Sequence, residues 1–339
     1  MTAPSVEVGR KDSIMKILVV SGFLGAGKTT FIKELIRRTG TAPVILENEN
    51  GNNSIDAGEL RSTDSGEKKL EILEFMEGCV CCTMKDSFVN SVFTVFSGLS
   101  PEYLIIEPTG VGRLSNILNN LKPLLHDPVT LLNPIVVLAP RSFSQNMMEF
   151  ETLYKDQITC AKTVVFSKCE NEDKEVLAAT EKAIREINPE AEIISSHYSK
   201  KDDEWWRSVM ALSSYNPDVK ETETENDDFS QITLNNVNLE NPFQLIQLLE
   251  DCMRGEFGHI VRAKGTIPVG SETLRFDLAD GLYSISDSPE KANQCVFIGR
   301  YLDTIGLGIR TGSLFDGRNL SMNKKIMNRN RGSKIAMRA

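Results

Sequence analysis

Histidine is nearly absent from this chain. It has three in 339 residues, His126, His197 and His259, scattered singly. A histidine-rich metal store is excluded, and each of the three reads as a structural residue. Long apolar runs are also missing: none approaches the roughly 20 residues needed to span a membrane. The first residues, MTAPSVEVGRKDS, have no apolar core of the kind a secretion signal carries. The expectation is a cytoplasmic protein with no membrane partner. Positive charge is in deficit, with 38 Lys and Arg against 47 Asp and Glu and a net charge of −9. That argues against a dedicated nucleic-acid binder. The exception is the segment from Asp316, which carries Arg318, Lys324, Lys325, Arg329, Arg331, Lys334 and Arg338 and reads as a solvated tail. An even set of cysteines is lacking too. There are seven, which in a cytosolic chain speaks against a disulfide framework.

What is present starts with Gly22-Phe23-Leu24-Gly25-Ala26-Gly27-Lys28-Thr29, a G-x-x-x-x-G-K-T phosphate-binding loop. The apolar run Lys16–Val20 before it reads as a buried parallel strand. After it, Phe31, Ile32, Leu35 and Ile36 recur at helical spacing. The glycines let backbone N–H groups turn inward, and with the helix N-terminus they form a cradle for phosphate. Lys28 would reach the β- and γ-phosphates, and the Thr29 hydroxyl would hold Mg²⁺. Further on, Tyr103-Leu104-Ile105-Ile106 is a buried-strand pattern ending in the carboxylate Glu107 and followed by Pro108-Thr109-Gly110, the Walker B and switch pattern of P-loop proteins.

Additional buried strands are expected at Pro43–Glu47, near Lys69–Phe75, at Ile135–Leu138, at Thr163–Phe166 and at Ile193-Ile194, with helices between them. This is an α/β, doubly wound, mostly parallel sheet of the P-loop NTPase type, with ligands at the carboxyl ends of its strands. The polar stretch after Glu47 reads as a mobile switch, and the aromatic stripe Phe88, Val92, Phe93, Phe96 as core. Trp205-Trp206 reads as helix packing against the main sheet. Asn216–Asp228 is acidic and almost without apolar residues, a linker composition. Beyond it, strands are expected at Gln231–Asn238, His259–Val269, Thr273–Leu278, Leu282–Ser286 and Cys295–Ile298, with helices at Pro242–Leu249 and Tyr301–Ile309. The division is therefore a flexible N-terminus (1–15), a P-loop domain (16–215), an acidic linker (216–230), a smaller C-terminal α+β domain (231–315) and a basic tail (316–339).

Three of the cysteines fall together as Cys79-Val80-Cys81-Cys82. Thiolates suit Zn²⁺, Cu⁺ and, less selectively, Co²⁺ or Ni²⁺. On an extended strand Cys79 and Cys81 share a face and Cys82 points the other way, so convergence needs a turn. Three protein ligands leave a fourth tetrahedral position open, which suits a transferable metal. Water, Glu49, Asp56 or a partner's cysteine are candidates for it. A structural zinc, a redox thiol pair and plain burial are the alternatives. Cys160, Cys169, Cys252 and Cys295 read as core cysteines, with Cys169 partly exposed in its loop.

Taken together, these motifs resemble the CobW-like GTPases, relatives of the nickel-chaperone GTPases of urease and hydrogenase maturation. Gly22–Thr30 resembles their P-loop, and Asn48-Glu49-Asn50-Gly51 with Ile55-Asp56 their first switch. Gly78–Thr83 resembles the GCxCC signature, and Glu107–Gly110 the Walker B and second switch. Asn188–Ala191 and Val261–Gly265 resemble further family segments. The resemblance implies a GTP-hydrolysing metal chaperone. Nucleotide would be held by Gly22, Gly25, Ala26, Gly27, Lys28, Thr29, Thr30, Gly110, Ser167, Lys168 and Glu170. Mg²⁺ would sit at Thr29 and Glu107, with Lys28, Glu107, Glu49 and Asp56 around the reacting phosphate. The cargo would be a transition metal, zinc first and cobalt or nickel next, on Cys79, Cys81 and Cys82. The partner would be a client metalloprotein or corrinoid protein, and dimerisation could depend on nucleotide or metal. Rival functions are a GTPase or ATPase serving a corrinoid enzyme, a nucleotide-gated interaction module with structural zinc, and a small-molecule kinase. The chain departs from the pattern in three places. Ser167-Lys168-Cys169-Glu170 replaces N-K-x-D, which leaves ATP open as the nucleotide. Ala139-Pro140 stands where an Asp is common, and Asn50 where a Phe is usual.

Overall fold

The structure is a computed structural model that describes residues 14–48, 71–75, 85–211, 215–217, 229–289 and 291–313. The chain forms two compact units, residues 1–229 and 230–339.

The first unit is built on a parallel sheet. Its strands are β1 (Met15–Ser21), β2 (Val44–Asn48), β3 (Glu71–Phe75), β4 (Tyr103–Glu107), β5 (Val129–Leu131), β6 (Ile135–Leu138), β7 (Thr163–Phe166) and β8 (Glu192–His197). The spatial order is β3-β2-β4-β1-β6-β7-β8, with β5 pairing β1 beside β6. The helices are α1 (Lys28–Thr39), α2 (Lys85–Leu99), α3 (Leu114–Leu121), α4 (Pro140–Glu149), α5 (Glu151–Cys160), α6 (Lys174–Ile187) and α7 (Asp203–Ala211). A parallel sheet covered on both faces needs strands apolar on both sides, and β4, β6 and β7 are buried along most or all of their length. The chain leaves β1 toward β2 on one side and later crosses to β6 on the other. That reversal opens a crevice at the carboxyl end of β1, where ligands bind in such sheets.

One core shows how α1 and α7 are seated. Phe31 of α1 meets Tyr198 at 5.1 Å in an edge-on contact and Trp206 of α7 at 5.3 Å. Trp206 is fully buried, in one cluster with Leu18, Ile105, Val137 and Val165 of the sheet. Large aromatic surface removed from water accounts for α7 lying there. Trp205 is only partly buried against the same cluster, and its indole N–H donates to Glu192 Oε1 at 3.2 Å.

The second unit is a five-stranded sheet in the order β12-β11-β10-β13-β9. Its strands are β9 (Phe229–Asn235), β10 (His259–Val269), β11 (Glu272–Ala279), β12 (Leu282–Asp287) and β13 (Gln294–Arg300), and its helices are α8 (Pro242–Met253) and α9 (Thr304–Thr311). β10, β11 and β12 form consecutive antiparallel hairpins, the second closed by Asp280-Gly281. Alternate residues Leu274, Phe276 and Leu278 share one core with Leu245, Leu248, Leu249 and Leu307 from the helices.

Several boundaries differ from the expectation by a few residues, and one strand was not anticipated. β9 ends at Asn235 rather than Asn238, because Asn236 turns to φ 60°. The last helix begins at Thr304 rather than Tyr301, because Asp303 is its N-cap and its carboxylate accepts from the Gly306 N–H at 3.0 Å. β5 was not anticipated: a three-residue strand is too short to show a period, and only its register beside Met15–Ile17 defines it.

Candidate nucleotide site

The loop between β1 and α1 needs glycine first at Gly22. Its φ is 142°, and a Cβ there would lie 2.2 Å from the Val137 carbonyl oxygen of β6. Backbone therefore packs directly on backbone where the loop starts. Lys28 is buried, and its Nζ donates to the carbonyls of Gly22 at 3.1 Å and Phe23 at 3.2 Å. The ammonium is folded over the loop that would cradle phosphate. Ala26 is buried, and Thr30 is exposed on the first turn of α1.

Thr29 joins this loop to the end of β4. Its hydroxyl donates to Glu107 Oε1 at 2.8 Å, and Glu107 is 9% exposed. Parallel pairing sets Glu47 of β2 in register with Glu107, so the two carboxylates leave the same face of neighbouring strands. Glu47 is 1% exposed. A hydroxyl and two carboxylates are hard oxygen donors, the set Mg²⁺ prefers, and the glycine-lined loop lies beside them. The residues present fit a magnesium–nucleotide ligand. Glu47 did not stand out in the sequence as a site residue. The available signal was that Val44-Ile45-Leu46-Glu47 repeats the pattern of Leu104-Ile105-Ile106-Glu107, an apolar strand ending in a carboxylate.

The loop after Glu107 comes against the phosphate loop. A Cβ on Gly110 would lie 2.3 Å from the Leu24 backbone nitrogen. From the other side, buried Gln157 of α5 donates its amide to the carbonyls of Gly112 at 3.0 Å and Gly110 at 3.3 Å. Asp156 beside it accepts from both the N–H and the hydroxyl of Ser115 in the first turn of α3. Helix α5 thus grips the loop and the helix that follows it. Neither residue is legible as a site residue without the fold, since a polar pair on a helix of low amphipathic contrast resembles a solvated face.

The loop after β7 alternates. Ser167 and Cys169 are buried, whereas Lys168 and Glu170 face outward. The expectation that Cys169 is partly exposed is corrected: it is 5% exposed, because the turn at Lys168, φ 51°, swings its neighbour inward. Burial, with Glu170 adding to it, raises the thiol's pKa. The Ser167 hydroxyl donates to the Ala26 carbonyl at 2.5 Å. Phosphate loop, Glu107, Gly110 and the Ser167 loop are accordingly brought to one edge of the sheet. Asn48 ends β2 at that edge, while Glu49, Asn50, Asp56, Cys79, Cys81 and Cys82 lie outside the described residues. Among the described residues no group of three His, Cys, Asp or Glu side chains is placed to hold a metal, and no helix is long and apolar enough to cross a membrane.

Residues 16–195 match the family described as CobW/HypB/UreG, nucleotide-binding domain. The zinc-regulated GTPase metalloprotein activator 1 of Schizosaccharomyces pombe is 26% identical over 59% of this chain and 49% of its own length. The zinc chaperone YeiR of Escherichia coli is 29% identical over 54% of this chain and 56% of its own. The chain thus spans about half the length of these relatives. The zinc-bound YjiA GTPase of E. coli superimposes with a TM-score of 0.43 and 17% identity, over 87% of this chain and 97% of that one. A family match over more than half of the chain, with the threonine of the phosphate loop hydrogen-bonded to the carboxylate that ends β4, leads to one assignment: the chain belongs to the CobW/HypB/UreG family of P-loop GTPases.

Proposed function

We propose that this protein binds and hydrolyses GTP and couples the nucleotide state to custody of a transition metal, zinc first, for delivery to a client metalloprotein in the cytoplasm. The observation that carries the hydrolytic half is the Thr29–Glu107 hydrogen bond, which joins the phosphate loop to the strand-end carboxylate. With nucleotide present, Thr29, Glu107 and neighbouring Glu47 would hold Mg²⁺, which supplies charge to the phosphate oxygens. Lys28 exchanges its contacts with the loop carbonyls for the β- and γ-phosphates. Gly110 presents its backbone to the γ-phosphate, and Glu107 helps to place the attacking water. Water adds to the γ-phosphorus as the bond to the β–γ bridging oxygen breaks, giving GDP and inorganic phosphate.

Base recognition falls to Lys168, lying along the purine, and to Glu170, accepting from guanine N1–H and the 2-amino group. Ser167 serves the loop rather than the base. Glu49 and Asp56 respond to the γ-phosphate. Cys79, Cys81 and Cys82 hold the cargo, supported by the zinc-chaperone names of the relatives and by thiolate chemistry. The second unit receives the client.

The test is zinc affinity, by competition with a chromogenic chelator, in the presence of a non-hydrolysable GTP analogue and of GDP. The expected result is a difference that disappears in a Cys79/Cys81/Cys82 triple alanine variant. Equal affinities would remove the coupling. Zinc that cannot be taken up by wild type would end the chaperone reading. A triple variant that no longer folds would instead support a structural zinc. ATP hydrolysed as well as GTP would reassign the nucleotide.

A further inference from the structure

The loop that would read the base carries glutamate where an aspartate would reach with one methylene less. Glu170 is also well exposed, its side chain at 55%. A longer, exposed carboxylate has an additional torsion to fix before it can present both oxygens to a purine edge, and fixing it costs entropy. Something has to hold it if it is to discriminate.

The structure provides that partner. His197 Nε2 lies 3.2 Å from Glu170 Oε1, and the His197 side chain is 14% exposed. The ring is itself fixed. The Ser199 backbone N–H donates to Nδ1 at 3.3 Å, and the Ser199 hydroxyl is 2.7 Å from the same nitrogen. The ring also stacks on Tyr198, centroids 4.3 Å apart at 30°. A backbone N–H can only donate, so Nδ1 is an acceptor and the proton of the neutral ring sits on Nε2, aimed at Glu170. The backbone arranges this as well. The β7–β8 register runs Val165↔Ile194 and then jumps to Phe166↔His197. This irregularity advances β8 and sets His197 opposite the last residue before the loop. Such bulges re-aim side chains beside functional sites. The turn after His197 is held from α1, where Arg38 Nη2 donates to the Ser199 carbonyl at 3.1 Å.

We infer that His197 is a specificity-determining positioning residue: by donating Nε2–H to Glu170 it holds the carboxylate in the pose that accepts guanine N1–H and the 2-amino group. One Glu170 oxygen keeps lone pairs beyond the histidine bond and the other remains whole, so the tether does not compete with the base. The inference rests on the proposed role of Glu170 in base recognition.

The probes are GDP and IDP, which differ only in the 2-amino group, titrated against the full-length protein with Mg²⁺. Glu170→Ala tests the underlying reading and should bring the two affinities together. If it leaves their ratio unchanged, the base-pocket reading fails, and this inference with it. If the ratio collapses, His197→Ala decides. It should weaken GDP binding about tenfold, the worth of one charge-assisted hydrogen bond, and lower the GDP:IDP ratio. It should have no such effect when added to Glu170→Ala. His197→Gln, which keeps an N–H donor, should recover most of the ratio. In a Glu170→Asp background, where the shorter side chain no longer reaches the ring, replacing His197 should leave the ratio alone. An unchanged ratio in His197→Ala, or an equal loss of GDP affinity with and without Glu170, would overturn the inference. Should His197→Ala not fold, His197→Gln against His197→Leu gives the same comparison.

Discussion

The Ser167 hydroxyl donates to the Ala26 carbonyl at 2.5 Å and lies 3.4 Å from the Leu138 carbonyl. One buried side chain therefore spans the ends of β6 and β7 and the phosphate loop, and fixes the base loop against the phosphate cradle. Replacing Ser167 by Ala deletes that donor while leaving the Ser167 N–H bond to Leu138, 2.9 Å, in place. The expected cost in stability is about 1 kcal/mol. Because the link supports the phosphate loop, GDP and ADP should lose affinity to a similar extent, in contrast to the guanine-selective loss expected for Glu170→Ala. Parallel titrations of both nucleotides distinguish the two.

Gly110→Ala tests the approach of the second loop to the first. The added methyl would meet the Leu24 nitrogen at 2.3 Å, and the obstacle is backbone, so the loops must separate. A displacement of about 1 Å at a reacting group costs on the order of 100-fold in rate. GTP turnover should fall by about that factor, while GDP affinity, which does not need the γ-phosphate contact, changes far less. Single-turnover hydrolysis beside GDP titration makes the measurement. A parallel fall in both would place Gly110 in general loop folding instead.

Much of this candidate site was legible before the fold was known, for identifiable reasons. Gly22 to Thr29 and the carboxylate at Glu107 are local patterns whose meaning depends on neighbours in the chain. Contacts that depend on distant partners were not legible. Glu47 becomes a candidate site residue only when β2 pairs with β4. Gln157 matters only because α5 lies under Gly110 and Gly112. His197 meets Glu170 only through a register shift that no composition reveals. Cys169 illustrates the opposite error: a polar loop suggests exposure, but one left-handed residue at Lys168 turned its side chain into the core.

Thiol chemistry gives a third expectation. Cys160, Cys169, Cys252 and Cys295 are buried free thiols. Burial pushes Cys160 and Cys252 up to about 12, and raises Cys295 and Cys169 as well. The thiolate is the nucleophile, so at pH 8 these four remain protonated as well as shielded. Iodoacetamide should label the native protein only at Cys79, Cys81 and Cys82, and prior loading with zinc should suppress that labelling. Peptide mapping after a short exposure is the measurement. Rapid modification of Cys169 would contradict its burial, and labelling indifferent to zinc would count against the cluster as the metal site.

Acid should loosen α1 through one carboxylate. Arg37 and Arg38 both hydrogen-bond to Glu34, Arg37 Nη2 at 2.6 Å and Arg38 Nε at 2.8 Å, and Arg38 continues to Asp203 of α7 at 2.9 Å. The Arg37 hydrogen bond is the largest cause holding the Glu34 carboxyl down at about 2. A carboxylate whose folded pKa lies below its unfolded value stabilises the fold at pH above the unfolded value, about 4.3, and loses that contribution as pH falls toward the folded value. The Glu34 contribution should therefore be complete at neutral pH and diminish from about pH 4.5 downward. Because Arg37 is well exposed and Arg38 partly so, the effect is modest and screened by salt. Comparing melting temperatures of wild type and Glu34→Gln between pH 7 and pH 3 reads it directly. The gap should narrow as the solution is acidified and again when salt is raised at neutral pH. A gap that stays constant across that range would show that Glu34 acts through packing of its side chain rather than through its charge.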